Sequence, residues 1–209
     1  MNFDAVIFDF DGLILDTESC EYRAWTEVFR RRGVHLELSE WVKCVGGGPQ
    51  VWSVEAHLEC LLGEPVDRRA VDAEARALRD ALLLELTPRP GVVEFLARVE
   101  RSGRPFGIAS SSRHVWVDGH LQNLGWRDRF KVLSTRDRAG APKPNPATYL
   151  LAAQELGVDP TQCLAIEDSR NGMLAGLAAG MSVLVCPNTV TQGMDFSGAL
   201  AVVDRLDEF

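Results

Sequence analysis

No stretch of this sequence approaches the roughly 20 consecutive apolar residues that a helix needs to cross a bilayer. The opening MNFDAVIF also lacks the basic segment of a secretory signal, so a cytoplasmic protein with no membrane partner is expected. Cysteine is sparse: Cys20, Cys44, Cys60, Cys163 and Cys186 are odd in number and form no CxxC pair. Neither a disulfide framework nor a zinc ribbon is indicated. The four histidines, His35, His57, His114 and His120, show no metal-ligand spacing. Positive charge is short as well, the net charge being -8, which removes the electrostatic basis for non-specific nucleic-acid binding. Within that deficit lysine is scarcest, with only Lys43, Lys131 and Lys143 against nineteen arginines. What remains is a chain of 209 residues, 46% hydrophobic, long enough to bury the core of one or two globular domains.

The most informative stretch is Phe8-Asp9-Phe10-Asp11-Gly12 and its continuation to Asp16-Thr17-Glu18. It follows Ala5-Val6-Ile7-Phe8, a run too short for a helix and rich in β-branched and aromatic residues, which reads as a buried strand. Residues two apart in extended chain point the same way, so Asp9 and Asp11 face one centre. Two carboxylates in one site imply a cation between them, a shared proton, or both. The competing reading is that they merely terminate the strand and cap the following turn.

From Glu18 to Leu86 the pattern is helical, with punctuation at Gly33, at Gly46-Gly47-Gly48-Pro49 and at Thr87-Pro88-Arg89-Pro90-Gly91. Beyond Gly91, helices alternate with strands at about 105–109, 131–134, 163–167 and 182–186, with a short edge strand at Ala201-Val202-Val203. Alternation of this kind predicts an α/β fold: a Rossmann-like, three-layer α/β/α core around a parallel sheet. The expected division is a core of residues 1–16 and 87–209, interrupted by an inserted α-helical domain of residues 17–86. Ligands of such sheets sit beyond the carboxyl ends of the strands. Those ends carry Asp9 and Asp11, then Ser110-Ser111-Ser112, then Lys143 between Pro142 and Pro144, then Glu167-Asp168-Ser169.

These motifs, in this order, resemble the haloacid-dehalogenase superfamily, in the subgroup of β-phosphoglucomutases and small sugar-phosphate phosphatases. Asp9-x-Asp11-Gly12-x-x-x-Asp16-Thr17-Glu18, Ser110, Lys143-Pro144 and Glu167-Asp168-Ser169 with Asn171-Gly172 carry the resemblance over the whole chain. It implies that the helical insert is a cap over the site. It also implies that Asp9 attacks phosphorus to form an aspartyl-phosphate, while Asp11 protonates the leaving oxygen and deprotonates water. By the same resemblance Mg²⁺ is held by the Asp9 and Asp168 carboxylates and the Asp11 carbonyl, with Glu167 helping directly or through water. Ser110 and the Ser111 amide hold the phosphoryl oxygens, and Lys143 neutralises transition-state charge.

Two departures from the mutase pattern favour water as the acceptor. Glu21 stands where those mutases place a cap histidine, and Gly47-Gly48-Pro49-Gln50 replaces a Gly-x-Ser-Arg turn whose arginine clamps a second phosphate. The expectation is therefore a monomeric Mg²⁺-dependent phosphatase acting on a small phosphorylated metabolite, with a phosphoglucomutase as the alternative. Glu18, Glu21, Gln50 and Trp52 are the candidate substrate residues of the cap, and Trp25 and Trp41 are assigned to its core.

Overall fold

The computed structural model describes residues 3–43 and 52–209. They divide into two compact units, residues 1–16 with 87–209 and residues 17–86.

The first unit is built on six parallel strands, β1 (Ala5–Phe8), β2 (Phe106–Ser110), β3 (Val132–Thr135), β4 (Cys163–Glu167), β5 (Ser182–Val185) and β6 (Ala201–Val202). Their order is β3-β2-β1-β4-β5-β6, so β1 lies at the centre with β2 and β4 as neighbours. Phe8 pairs with Ile108 on one side and Ile166 on the other, which brings the three strand ends level. Parallel strands need crossovers that cover both faces. Along β1 the faces alternate: Ala5 and Ile7 join a cluster with Tyr149, Ala152, Met173 and Val183, whereas Phe8 meets Phe95, Phe106 and Phe130 edge to face. All four residues of β1 are buried.

The helices of this unit are short, none longer than ten residues. They are α5 (Val92–Arg101), α6 (His114–Asn123), α7 (Arg136–Ala139), α8 (Ala147–Leu156) and α9 (Arg170–Ala178). The sequence places α9 from Met173; it starts three residues earlier because the Ser169 side chain accepts from the Gly172 N–H at 3.2 Å and caps it. The four-residue α7 buries none of its side chains and has no sequence period to reveal it. Strand β2 runs one residue further than its apolar pattern, which takes Ser110 into the sheet.

The second unit consists of α1 (Thr17–Arg31), α2 (Leu38–Trp41), α3 (Val54–Leu62) and α4 (Arg68–Leu83), with no strand among its described residues. Ser53 and Asp67 cap α3 and α4 through side-chain oxygens. Its interior is built around Trp25, Val28 and Phe29 of α1, Trp41, and Val71 and Ala75 of α4. Both tryptophans assigned to its core are thus buried. None of the described helices is long and apolar enough to cross a membrane.

Candidate active site

Asp9, one residue beyond β1, still donates its N–H to Ile166 O at 2.9 Å, so its side chain is aimed by the sheet itself. Three residues on, Gly12 turns the chain with φ +84°, a conformation that L side chains rarely adopt. A Cβ there would also stand 2.2 Å from Asp168 Oδ2. Glycine is therefore required twice over, by the turn and by the approach of the carboxylate at the end of β4.

Lys143 reaches the same place from the loop before α8. Its backbone N–H donates to Ser111 Oγ at 3.1 Å, and its Nζ donates to Asp9 Oδ1 and, at 2.5 Å, to Glu167 Oε1. Tyr149, on α8, donates its hydroxyl to the same Glu167 oxygen at 2.5 Å and lays its ring 4.7 Å from Nζ. Glu167 Oε2 turns the other way, accepting from Asp168 N at 3.3 Å and Ser169 Oγ at 3.5 Å at the start of α9. It fits there only because residue 172 is glycine: a Cβ on Gly172 would lie 1.9 Å from Oε2. The Asn171-Gly172 pair of the sequence motif thus makes room for a carboxylate.

Asp9, Glu167 and Asp168 are all buried, and one carboxylate oxygen from each lies within 4.8 Å of the others. Burial drives the Asp9 carboxyl well above the usual range; Lys143 opposes this, while Glu167 and Asp11 push it further up. Burial alone would lower the Lys143 ammonium, but Asp9 and Glu167 beside it hold it above its ordinary value. Tyr149 is likewise kept a neutral phenol, by burial and then by Glu167. One lysine against three carboxylates leaves excess negative charge in a place where water is scarce. A divalent cation with oxygen ligands fits that deficit.

Asp11 has a different setting. Its Oδ2 accepts from Ser112 Oγ at 2.6 Å and from Ser110 Oγ at 3.4 Å, and its Oδ1 accepts from the indole Nε1 of Trp116 at 2.8 Å. Ser110 is fixed in turn by the N–H of Ser112, which donates to its Oγ at 2.9 Å. The sheet thus brings Asp9, Asp11, Ser110, Ser111, Lys143, Glu167 and Asp168 to one edge.

Besides Tyr149, two contributors were not found in the sequence. Asn188, after β5, donates through Nδ2 to Asp168 Oδ2 at 2.7 Å and to Gly12 O at 3.3 Å, while its Oδ1 accepts from Val190 N and Thr191 N. It lies in a stretch rich in Asn and Thr whose only readable property was turn composition. Trp116 sits inside a helix, where an aromatic residue reads as packing. His114, close to Ser110 in sequence, donates its backbone N–H to Asp137 Oδ1 at 3.0 Å.

In the helical unit Glu21 forms an ion pair with Arg79 at 3.2 Å. Trp52 stacks edge to face on Trp41 and near His57. Glu18 occupies the first turn of α1 and is part-exposed. Gln50 and the turn before it lie outside the described residues.

Comparison with known proteins agrees with this arrangement. The haloacid dehalogenase-like hydrolases match the chain over residues 3–180. A Bacillus subtilis (strain 168) protein named "Putative phosphatase YhcW" is 44% identical over 193 residues, 92% of this chain and 87% of that one. Fructose-1-phosphate phosphatase YqaB of Escherichia coli (strain K12) is 33% identical over 183 residues, 87% of this chain and 95% of its own. Among solved structures, a HAD family hydrolase from Deinococcus radiodurans R1 with bound phosphate and sodium superposes with a TM-score of 0.83. It is 29% identical and spans 99% of this chain and 93% of that one.

Proposed function

The chain belongs to the haloacid dehalogenase-like hydrolase family and is a phosphatase of that family, and from this premise we propose that it hydrolyses a sugar phosphate through an aspartyl-phosphate on Asp9. One observation carries the reading: Asp9, the carboxylate of the cluster that directly follows the central strand, is held by a buried lysine beside a site that fits a cation. Residues 17–86 are taken as the inserted cap domain and the remainder as the catalytic core.

In the first step an Asp9 oxygen bonds to phosphorus, the bond from phosphorus to the leaving oxygen breaks, and Asp11 delivers a proton to that oxygen. In the second, water attacks the same phosphorus, Asp11 accepts its proton, and the Asp9 oxygen departs as carboxylate. Lys143 is placed to offset charge gathering on the phosphoryl oxygens, and Glu167 and Tyr149 keep it there. Ser110 and the Ser111 amide are assigned to receive those oxygens. Asp9, Asp168 and the Asp11 carbonyl, with Glu167 directly or through water, are the residues that would hold Mg²⁺, which supplies the positive charge an anionic nucleophile needs to approach a phosphate.

The test is phosphate release from a panel of sugar and nucleotide monophosphates with Mg²⁺ and with EDTA, for the wild type and Asp9→Asn. Mg²⁺-dependent release that Asp9→Asn abolishes while leaving thermal unfolding cooperative is expected. Unchanged release in Asp9→Asn would remove the nucleophile assignment. Conversion of glucose 1-phosphate to glucose 6-phosphate without free phosphate would replace hydrolysis by phosphoryl transfer back to the sugar.

A further inference from the structure

Asp11 must do something Asp9 does not: hand a proton to one oxygen and take one from another, which demands a defined orientation of its carboxyl plane. That plane is set from α6. The indole of Trp116 is a donor with no acceptor site, so an oxygen that receives its N–H is marked as the accepting end of the carboxyl group. That oxygen is Oδ1, at 2.8 Å. Ser112 Oγ, at 2.6 Å from Oδ2, is a hydroxyl that both gives and receives, and so is compatible with Oδ2 either bare or carrying a proton.

Trp116 is itself fixed. His120, one helical turn further along α6, sets its ring 4.4 Å from the indole at 73° and lies 6.1 Å from Phe10 on its other side. Burial lowers the proton affinity of His120, although Asp11 works the other way. The series Phe10, His120, Trp116, Asp11 therefore begins and ends on two adjacent residues of the loop after β1, closing a ring of contacts around the carboxylate.

We propose that Trp116 is a positioning residue for the acid and base step, directing Oδ2 of Asp11 as the oxygen that exchanges the proton. This rests on the phosphatase reading above. The carbon ring of tryptophan would pack equally well without its N–H, so packing alone leaves the 2.8 Å bond unexplained.

Leaving groups provide the test. A sugar alkoxide needs a proton to depart, whereas 4-nitrophenolate leaves as a stable anion, and kcat/KM reports only the steps up to formation of the aspartyl-phosphate. Trp116→Phe keeps a ring and removes the N–H. The ratio of kcat/KM for an alkyl phosphate to that for 4-nitrophenyl phosphate is expected to fall about tenfold or more. An unchanged ratio, whether both rates fall together or neither falls, overturns the assignment. A second measurement needs no change at Trp116: its indole ¹H–¹⁵N signal in the wild type should move upfield in Asp11→Ala, and a signal that stays in place also overturns it. A wild type inactive on both phosphates overturns the phosphatase reading and the assignment together, which separates that failure from a ratio that merely fails to change.

Discussion

Each unit of this protein holds its own bonds between basic side chains and carboxylates, and the bonds differ in kind. In the sheet unit Lys143 joins Asp9 and Glu167 with side-chain exposures of 5%, 8% and 0%. In the helical unit Arg31 and Arg32 reach Glu74 across α1 and α4 at 2.9 and 2.8 Å, and Arg30 and Arg31 reach Glu27, all with substantial exposure. An exposed pair gives up little hydration and gains little. A buried one is costly to assemble, and its remaining members are costlier still once a partner is lost. The first kind decorates a surface; the second commits a fold to a charge arrangement that only its chemistry repays.

The sharpest way to break that contrast is Lys143→Ala. It leaves Asp9 and Glu167 buried and uncompensated beside Asp168, and should cost about 3–5 kcal/mol of stability in urea unfolding besides abolishing turnover. Stability retained in full would mean that water already compensates these carboxylates. Next is Gly172→Ala, whose methyl enters the space of Glu167 Oε2. A loss of about 1–3 kcal/mol is expected, measured by thermal or chemical unfolding. Asn188→Ala should affect stability less but release Asp168 from its amide anchor. Calorimetric titration with Mg²⁺ is expected to show affinity about tenfold weaker, and wild-type affinity would remove Asn188 from the site.

The smallest effect belongs to the helical unit. Hydrogen bonds from Arg30 and then Arg31 hold the Glu27 carboxyl down at about 2, against an ordinary 4.5. Since the folded value is depressed, whatever this pair contributes is present above pH 4.5 and disappears only as pH falls through about 2. Side-chain NMR should place the Glu27 midpoint there. A midpoint near 4.5 would show that solvent and salt erase even the geometry of the pair.

Legibility divided along a similar line. The parallel sheet, the helical interruption and the strand-end carboxylates could be read because each has a local signal: a period, a glycine or proline break, or a residue type fixed by the chemistry. Asp9, Lys143 and Asp168 fall in this class, and Lys143 was conspicuous through the scarcity of lysine. Asn188 and Trp116 could not be read, because what qualifies them is a distance across the fold. Asn188 lies 176 residues from the Gly12 carbonyl it binds, and Trp116 lies 105 from Asp11. The early start of α9 belongs between the two cases: Ser169 is a recognisable cap, but its neighbours Glu167 and Asp168 had already been assigned to the site.

Arg89 N donates to Ile14 O at 3.0 Å, and the Arg89 guanidinium binds Gly12 O, Cys186 O and Pro187 O at 2.6–2.9 Å. The two points where the chain leaves the sheet unit and comes back are thus hydrogen-bonded neighbours, anchored to the same loop. Such a junction is a socket. Whatever is threaded between its two contacts begins and ends at a fixed separation, so it can be lengthened, trimmed or exchanged while the strands keep their register, and loop-closure entropy grows only slowly with the length inserted. For an engineer, the junction marks where this scaffold accepts a different plug.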